Sequence, residues 1–300
     1  MDMTQNKCCR HGASLRRRRR RRRKILRSII FSCSIIAVAV FVAVGSRMIT
    51  SGDGGTNRYD VEAGNNTYNN AVIENSKISE NNKIQNEQSM LDDIMNSTQY
   101  PKQLQELALK NEEALEFVYD YPTEHVKEHT IDLTEEASMD SVPLFVQWDK
   151  RWGYEKYSGN FFAASGCGPT TLSMVVVYLT HNRDASPIAV AKYSKEAGYS
   201  VDGSGSSWTL ISEGCRHYGV KANTVALDES RMKAEIDAGH PIVVNVGPGD
   251  FTDTGHFMVI TGYDDEGFSI NDPNSIEKSG KRWLFKNISS QIRAVWSMYV

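Results

Sequence analysis

The sequence predicts an α+β fold, with helices followed by an antiparallel sheet, for residues 141–300. Helical patterns with recognisable start signals come first, at Pro169, Ser186-Pro187, Ser206-Ser207 and Asp228. Short apolar runs that are typical of strands follow, mostly later, at 220–227, 242–246, 257–263, 268–271 and 294–300. Because helices and strands do not alternate regularly, we expect a segregated arrangement rather than repeated βαβ units.

The charge of the chain is distributed very unevenly. Residues 1–27 carry twelve Lys and Arg side chains, eight of them consecutive arginines at 16–23, against Asp2 alone. Of the 34 basic and 37 acidic residues of the chain, 22 and 36 therefore lie in residues 28–300, which have a net charge of −14 with His neutral. An acidic body of this kind argues against nucleic acid as a partner.

Residues 28–45 form an apolar run without a charged side chain. As a helix it would span roughly 27 Å, just enough for the core of a bilayer. Because basic residues stay on the cytoplasmic side, we expect residues 1–27 in the cytoplasm and the rest of the chain outside the cell. The alternative is a cleaved signal peptide and a secreted protein, since Ala43-Val44-Gly45 fits the small-x-small cleavage pattern. We favour the single-pass anchor because the run exceeds the usual apolar core of a signal peptide.

The segment between this run and the globular part divides in two. Residues 46–98 are rich in Asn, Ser, Gly and charge, which predicts a flexible stalk because little surface can be buried. Within residues 99–140, apolar side chains recur at helical spacing after Pro101, which predicts a helix that ends at Tyr121-Pro122. This helical extension either packs on the globular part or belongs to the stalk.

Two patterns could indicate metal binding or disulfides. His125 and His129 match H-x-x-E-H, in which two histidines bind zinc. No apolar helix supports this segment, so we interpret it as a solvated charged face and predict no metal. The chain has five cysteines without a CxxC pair, and only Cys167 and Cys215 follow the apolar run. We interpret Cys215 as a core residue, although a bridge to Cys167 is the alternative.

Residues 164–171 (ASGCGPTT) predict a loop that turns into a helix close to Gly168. Pro169 suits the first turn of a helix, and Gly166 and Gly168 permit another part of the chain to approach Cys167 closely. The N–H groups and macrodipole of a helix N-terminus favour the negative charge of a thiolate, which is the reactive form of cysteine. Cys167 is therefore a candidate nucleophile, and the alternative is a small residue buried in a tight turn.

A cysteine nucleophile needs a base within reach, and that base needs an orienting group. His256 begins a predicted strand, and a hairpin that turns at 264–267 would return Asp272 beside it. A carboxylate there can accept the imidazole N–H, whereas Asn271 should point to the opposite face of the sheet. The alternatives are a histidine satisfied by backbone groups and an aspartate that serves only the turn before Pro273.

Acyl transfer also needs N–H donors for the negative charge that develops on the carbonyl oxygen. The backbone N–H of Cys167 is one candidate donor, and the side-chain amide of Gln147 is another. Trp208 could line a substrate cleft, although a position in the core is the simpler interpretation.

Four segments together resemble papain-like peptidases related to the bacteriocin-leader (double-glycine) peptidases. They are Val142-Pro143 with Gln147, Asp149, Arg151 and Trp152; Gly166-Cys167-Gly168-Pro169-Thr170; Gly255-His256-Phe257 with Gly262-Tyr263; and Asn271-Asp272-Pro273. The resemblance covers about residues 141–300 and implies a papain-like catalytic domain. It implies Cys167 as nucleophile, His256 as base, Asp272 as the orienting residue and Gln147 in the oxyanion hole.

The resemblance implies a stand-alone exported cysteine peptidase or related amide hydrolase, membrane-tethered or secreted, that acts on a peptide or protein. It implies no metal or organic cofactor. Two alternatives stay open at this point. One is a cell-surface binding module that keeps the fold without turnover, and the other is an acyl transferase or cross-linking enzyme that transfers the acyl group to an amine.

Overall fold

The six strands of the main sheet follow the two longest helices of the globular part in the computed structural model, which describes residues 62–300, with side chains from residue 79 on. The strands are β1 (Lys156–Tyr157), β2 (Asn160–Phe161), β3 (Ser200–Val201), β4 (Gly205–Ser206), β5 (Lys221–Thr224), β6 (Ile242–Val246), β7 (His256–Asp264), β8 (Gly267–Asn271), β9 (Arg282–Trp283) and β10 (Ile292–Tyr299). The α-helices are α1 (Glu62–Asn96), α2 (Lys102–Lys110), α3 (Leu115–Tyr119), α4 (Tyr121–Glu124), α5 (Phe162–Ser165), α6 (Cys167–Thr180), α7 (Pro187–Glu196), α8 (Thr209–Ser212), α9 (Glu229–Asp237), α10 (Ile276–Ser279) and α11 (Phe285–Ile288). Short 3₁₀ helices cover Glu112–Ala114, Glu136–Ser138, Gly214–Tyr218 and Ser289–Gln291.

A six-stranded sheet is the framework of the part of the chain after residue 220. Its strand order is β5-β10-β6-β7-β8-β9, and every neighbouring pair is antiparallel. Alternate residues of the central strands enter two different apolar clusters, so both faces of the sheet are covered. Val243 and Val259 pack with α6, whereas Val244 and Met258 pack with Met232 of α9. The expected α+β fold with an antiparallel sheet is confirmed.

Helix α6 is the central helix of the fold. Its side chains from Leu172 to Val177 are all buried, and it packs against α7 and β7. A helix that is apolar on all sides is stable only inside a core, which explains this position. It ends at His181, whose left-handed backbone (φ 53°) lets its N–H donate to the Val177 carbonyl. Both ends of α6 are therefore fixed, and its first residue is held against the sheet.

The helix starts expected at Ser186-Pro187 and Asp228 are correct. Ser186 Oγ accepts the Ala189 N–H at 3.3 Å, and Asp228 Oδ1 accepts the Arg231 N–H at 3.0 Å. The helix expected after Ser206-Ser207 is shorter than predicted, because α8 ends at Ser212 and a 3₁₀ turn replaces its second half.

The helical extension packs on the globular part and does not form a single helix. Leu104, Leu107 and Val118 form an apolar cluster with Phe161 and Ala163, which lie just before α6. Asn111 interrupts the expected helix, since its side chain accepts the Glu113 N–H at 3.0 Å and so starts a new turn. Pro122 does not end a helix but lies in the first turn of α4.

Only part of the predicted stalk at 46–98 lies within the described residues, and that part is mostly helical. Helix α1 covers Glu62–Asn96, and Met90, Leu91 and Ile94 pack into the cluster of the extension. The polar composition of the segment hid this short apolar stripe in the last turns of α1. Residues 72–300 form one compact unit.

The predicted membrane anchor at 28–45 and the basic segment at 1–27 lie outside the described residues. Among residues 62–300, no helix has the length and apolar character needed to cross a membrane.

Candidate active site

Cys167 is the first residue of α6, as the glycine and proline pattern predicts. The residue is partly exposed, its thiol is free of any disulfide, and its backbone N–H has no acceptor within the helix. The flanking glycines are required by packing. A Cβ on Gly166 would lie 2.6 Å from the Phe162 ring, and a Cβ on Gly168 would lie 2.6 Å from Ser206 Oγ. The close approach expected around Cys167 is therefore present on both sides.

The β7–β8 hairpin brings His256 and Asp272 together. The two strands turn at Asp264 and Gly267, and Asp272 directly follows the last residue of β8. His256 Nε2 lies 2.7 Å from Asp272 Oδ1, and the two residues are only 6% and 0% exposed. Because Nε2 faces the carboxylate, Nδ1 is the ring nitrogen left for the thiol. The ring of His256 lies close enough to the Cys167 thiol for the charge and hydrogen bonding of each group to affect the pKa of the other. Three of the predicted site residues thus form one connected series.

The electrostatics of this series favour a charged thiol and a charged ring. Burial raises the pKa of Cys167, but the hydrogen bond and charge of His256 and the backbone N–H groups of Phe257 and Gly168 bring it below its ordinary value. Burial lowers the pKa of His256, but the charge and hydrogen bond of Asp272, together with Cys167, raise it to about 10. Between these two pKa values, a thiolate and an imidazolium coexist.

Asp272 is held on several sides. Its Oδ1 accepts the Asn274 N–H at 2.8 Å in addition to His256, and its own N–H donates to Ser279 Oγ at 2.9 Å. Its Oδ2 is buried without a hydrogen-bond partner. Asn271 points to the other face, as the strand alternation predicts, where its Nδ2 donates to the Val142 carbonyl at 3.0 Å. Asp272 is therefore the side chain of this pair that faces the imidazole.

Gln147 lies between the segment before Cys167 and the segment after Asp272. Its backbone N–H donates to the Pro273 carbonyl at 2.7 Å, and its Nε2 donates to the Ala163 carbonyl at 2.8 Å. The residue is 4% exposed, and its Oε1 has no hydrogen-bond partner. One of the two N–H groups of the side-chain amide thus donates a hydrogen bond to a backbone carbonyl.

The other histidines and Cys215 have local contacts that explain them. Cys215 is a free cysteine, so no disulfide joins it to Cys167. It is buried, and this burial raises its pKa to about 11. The rings of His181, His217 and His240 contact the Ala137 carbonyl, the Tyr193 ring and the Glu235 carboxylate, respectively.

The H-x-x-E-H segment is not helical between its two histidines. His125 stacks on Tyr121 and its Nδ1 lies 2.5 Å from the carbonyl of that residue, while His129 Nε2 lies 3.2 Å from the Glu124 carbonyl. Within residues 62–300, no group of three His, Cys, Asp or Glu side chains is arranged to hold a metal ion.

Two features of the site were not predicted from the sequence. Trp208 is not a core residue but is 47% exposed, with its ring edge-to-face on Trp296 at 6.0 Å. Trp296 in turn packs 6.4 Å from Phe257, the residue after His256. The loop that carries Asp272 is also bound by Asn111 and Glu113, which are more than 160 positions away in sequence. No local pattern indicates a contact at that separation.

An α+β fold with a cysteine at the start of a buried helix, beside a histidine at the start of a strand, is compatible with the fold of papain-like cysteine peptidases. The sequence model of the Peptidase_C39 like family matches residues 139–300, which is more than half of the chain. The chain therefore belongs to the Peptidase_C39 like family, the family of peptidases that resemble the bacteriocin-leader peptidases.

Two solved structures are similar to this chain over the same share of its length. The peptidase domain of Streptococcus ComA, described as a bifunctional ABC transporter involved in a quorum-sensing pathway, is 18% identical; the match covers 53% of this chain and 96% of that domain, with a TM-score of 0.39. A Bacillus anthracis protein described as a C39-like peptidase is 17% identical; the match covers 53% of this chain and 95% of that one, with a TM-score of 0.33. No curated protein matches the sequence significantly.

Proposed function

We propose that this protein is a cysteine peptidase, or a closely related amide hydrolase, that uses Cys167, His256 and Asp272. The observation that supports the proposal most strongly is that Asp272 is hydrogen-bonded to His256, whose ring lies beside the free thiol of Cys167, a partly exposed residue at a helix N-terminus. Membership of the Peptidase_C39 like family supports a peptide or protein as the substrate.

In this mechanism the thiolate of Cys167 attacks the carbonyl carbon of an amide, and a carbon–sulfur bond forms. The tetrahedral intermediate collapses as the carbon–nitrogen bond breaks, and the imidazolium of His256 gives its Nδ1 proton to the leaving amine. The neutral imidazole then takes a proton from water, whose oxygen attacks the thioester. The carbon–sulfur bond breaks, the acid leaves, and the thiolate and imidazolium are restored.

Two N–H donors would stabilise the negative charge on the carbonyl oxygen in each tetrahedral intermediate. The backbone N–H of Cys167 has no acceptor within α6, and the second N–H bond of the Gln147 amide is not used by Ala163. The anchoring of Gln147 to Ala163 and Pro273 would hold its amide close to both Cys167 and Asp272.

We also propose that the catalytic domain at 141–300 is exported and tethered by residues 28–45, with residues 1–27 in the cytoplasm. The uncharged run and the twelve basic residues before it support this arrangement.

The proposal is tested by alkylating the full-length protein with iodoacetamide near neutral pH and measuring the modified Cys167 peptide by mass spectrometry. The wild type is compared with His256→Ala, and His240→Ala is the matched control because Glu235 contacts that ring at 2.9 Å. We expect His256→Ala alone to slow alkylation of Cys167, with Cys215 unmodified in the folded protein. Equal rates in all three proteins would refute the Cys–His pair.

Hydrolysis and acyl transfer are separated by the products. When a peptide that the enzyme cleaves is incubated with an added amine, free acid is expected if water accepts the acyl group. An amide of the added amine would instead indicate a transferase on the same fold.

A further inference from the structure

The loop after Asp272 is bound by a carboxylate from the helical extension. Glu113 Oε2 accepts the backbone N–H groups of Ile276 at 2.6 Å and Glu277 at 3.1 Å, and Glu113 Oε1 accepts the hydroxyl of Ser275. Hydrogen bonds to an ionised acceptor are stronger than those between neutral groups. One side chain therefore satisfies three donors of a segment that begins three residues after Asp272.

Asn111 binds the same loop one residue earlier. Its Nδ2 donates to the Asn274 carbonyl at 2.9 Å and to Asn274 Oδ1 at 3.1 Å. Its Oδ1 accepts the Glu113 N–H at 3.0 Å, so Asn111 is hydrogen-bonded both to the loop and to the backbone of Glu113. Trp148 Nε1 is a second donor to the Asn274 carbonyl, at 3.3 Å.

The loop in turn holds the carboxylate of Asp272. The N–H of Asn274 donates to Asp272 Oδ1 at 2.8 Å, and the N–H of Ser275 donates to the Asp272 carbonyl at 3.1 Å. That same Oδ1 is the oxygen 2.7 Å from the ring of His256. Any shift of Asn274 or Ser275 therefore moves the acceptor that orients the imidazole.

The helical extension that carries Asn111 and Glu113 is itself held to the globular part by apolar packing. Its apolar cluster includes Phe161 and Ala163, and Phe117 stacks on Tyr154 with ring centroids 4.2 Å apart. The Ala163 carbonyl is also the acceptor for Gln147. The same element thus contacts the segment before Cys167 and the loop after His256 and Asp272.

We propose that Glu113 and Asn111 are positioning residues for Asp272, so that the helical extension is an integral part of the active site. The inference rests on the proposed function, because it assigns a role relative to the Cys167–His256 pair. Both residues lie before position 139, where the family match begins. The catalytic unit of this chain is accordingly larger than the stretch that defines its family.

Glu113→Gln tests the inference because it keeps the shape of the side chain but replaces one acceptor oxygen with an NH₂ group that faces backbone donors. Glu116→Gln, an exposed position on α3, is the control with the same change of charge. The readout is the rate of Cys167 alkylation by iodoacetamide as a function of pH in the full-length proteins. We expect the midpoint of the Glu113→Gln profile to move up by about one pH unit, which means about tenfold slower alkylation below the midpoint. The control should match the wild type.

A double-variant comparison separates positioning from a merely structural role. If Glu113 acts through Asp272, adding Glu113→Gln to Asp272→Asn should change the profile no further. Additive shifts, or a Glu113→Gln profile identical to that of the wild type, would overturn the inference. Should Glu113→Gln fail to fold, Asn111→Asp keeps an acceptor for the Glu113 N–H and replaces the donor to Asn274 with a charged carboxylate oxygen, with the same expectations.

Failure of the proposed function can be distinguished from failure of the inference about Glu113 and Asn111. A wild-type profile that His256→Ala does not change would refute the proposed function itself. A wild-type profile that depends on His256 but not on Glu113 or Asn111 would leave the proposed function intact and refute this inference alone.

Discussion

Replacing Asp272 with Asn tests the role of the buried carboxylate while keeping its shape. In the wild type, Oδ1 accepts from both His256 and Asn274, and the charge of Asp272 is the foremost of the causes that raise the pKa of His256 to about 10. The neutral amide removes that charge at a site without exposure to solvent. We therefore expect the pKa of His256 to fall. Because the thiolate then has less positive charge from the His256 imidazolium beside it, we expect the pKa of Cys167 to rise.

The size of the effect follows from the raised pKa of His256. Its ordinary value is 6.5, so burial, Asp272 and Cys167 together produce a rise of about 3.5 units. An opposite charge at this distance shifts a pKa by about 1–3 units, and a shift of about two units corresponds to about 3 kcal/mol, or about a hundredfold in the population of the ion pair. The Asp272→Asn protein should alkylate at Cys167 about a hundredfold more slowly at a pH below the wild-type midpoint.

The assay is the pH profile of Cys167 alkylation, with circular dichroism to establish that the variant is folded. Asp237→Asn is a suitable control, since that carboxylate also accepts a hydrogen bond, from Tyr263, but is remote from the His256 ring in the hydrogen-bond network. A folded Asp272→Asn protein with the wild-type profile would refute the reasoning, because the charge would then contribute nothing to the ion pair.

Three further predictions concern the same site. Gly168→Ala should destabilise the protein by about 1–3 kcal/mol in urea unfolding, because its Cβ would meet Ser206 Oγ at 2.6 Å. In a Cys167→Ala background, Asp272 still raises the pKa of His256, which stabilises the fold fully below pH 6.5. This stability is lost as the pH rises above that value, so Tm should fall across that window relative to the protein that also carries His256→Ala. Gln147→Ala should lower kcat for peptide cleavage by about 10²–10³-fold, as the loss of one oxyanion donor does, and leave the alkylation midpoint unchanged.

For each of these predictions, a specific result would contradict the reasoning. Gly262→Ala is the control for packing, because the nearest atom to its Cβ would be Ser269 Oγ at 3.8 Å; equal stability of both alanine variants would contradict the packing argument. A Tm difference that does not vary with pH would contradict the raised pKa of His256. A shifted alkylation midpoint in Gln147→Ala would mean that the amide acts on the ground-state ion pair rather than on the oxyanion.

The contacts that the sequence predicted are local or follow from strand alternation. His256 and Asp272 meet because a short turn pairs β7 with β8, and the alternation of side chains separates Asp272 from Asn271. The start of α6 at Cys167 likewise follows from neighbouring glycines and a proline. Such features depend on a few adjacent residues, so composition and spacing suffice to predict them.

The features that were missed depend on distant or sparse signals. The cap at Asn111, which splits the predicted helix of the extension, has a recognisable residue type but was outweighed by the apolar spacing around it. The apolar stripe of α1 that packs on the extension involves only a few residues in its last turns, Met90, Leu91 and Ile94. The hydrogen bonds of Glu113 to residues 275–277 join polar groups more than 160 positions apart, and they can be seen only in the folded chain.

Ultraviolet absorbance of the thiolate, titrated with pH and taken as the difference between the wild type and Cys167→Ser, tests the central claim most directly. The account predicts a midpoint well below the ordinary cysteine pKa, and a return towards that value when His256 is replaced by Ala. A midpoint at or above the ordinary value in the wild type would contradict the ion pair and, with it, the proposed peptidase.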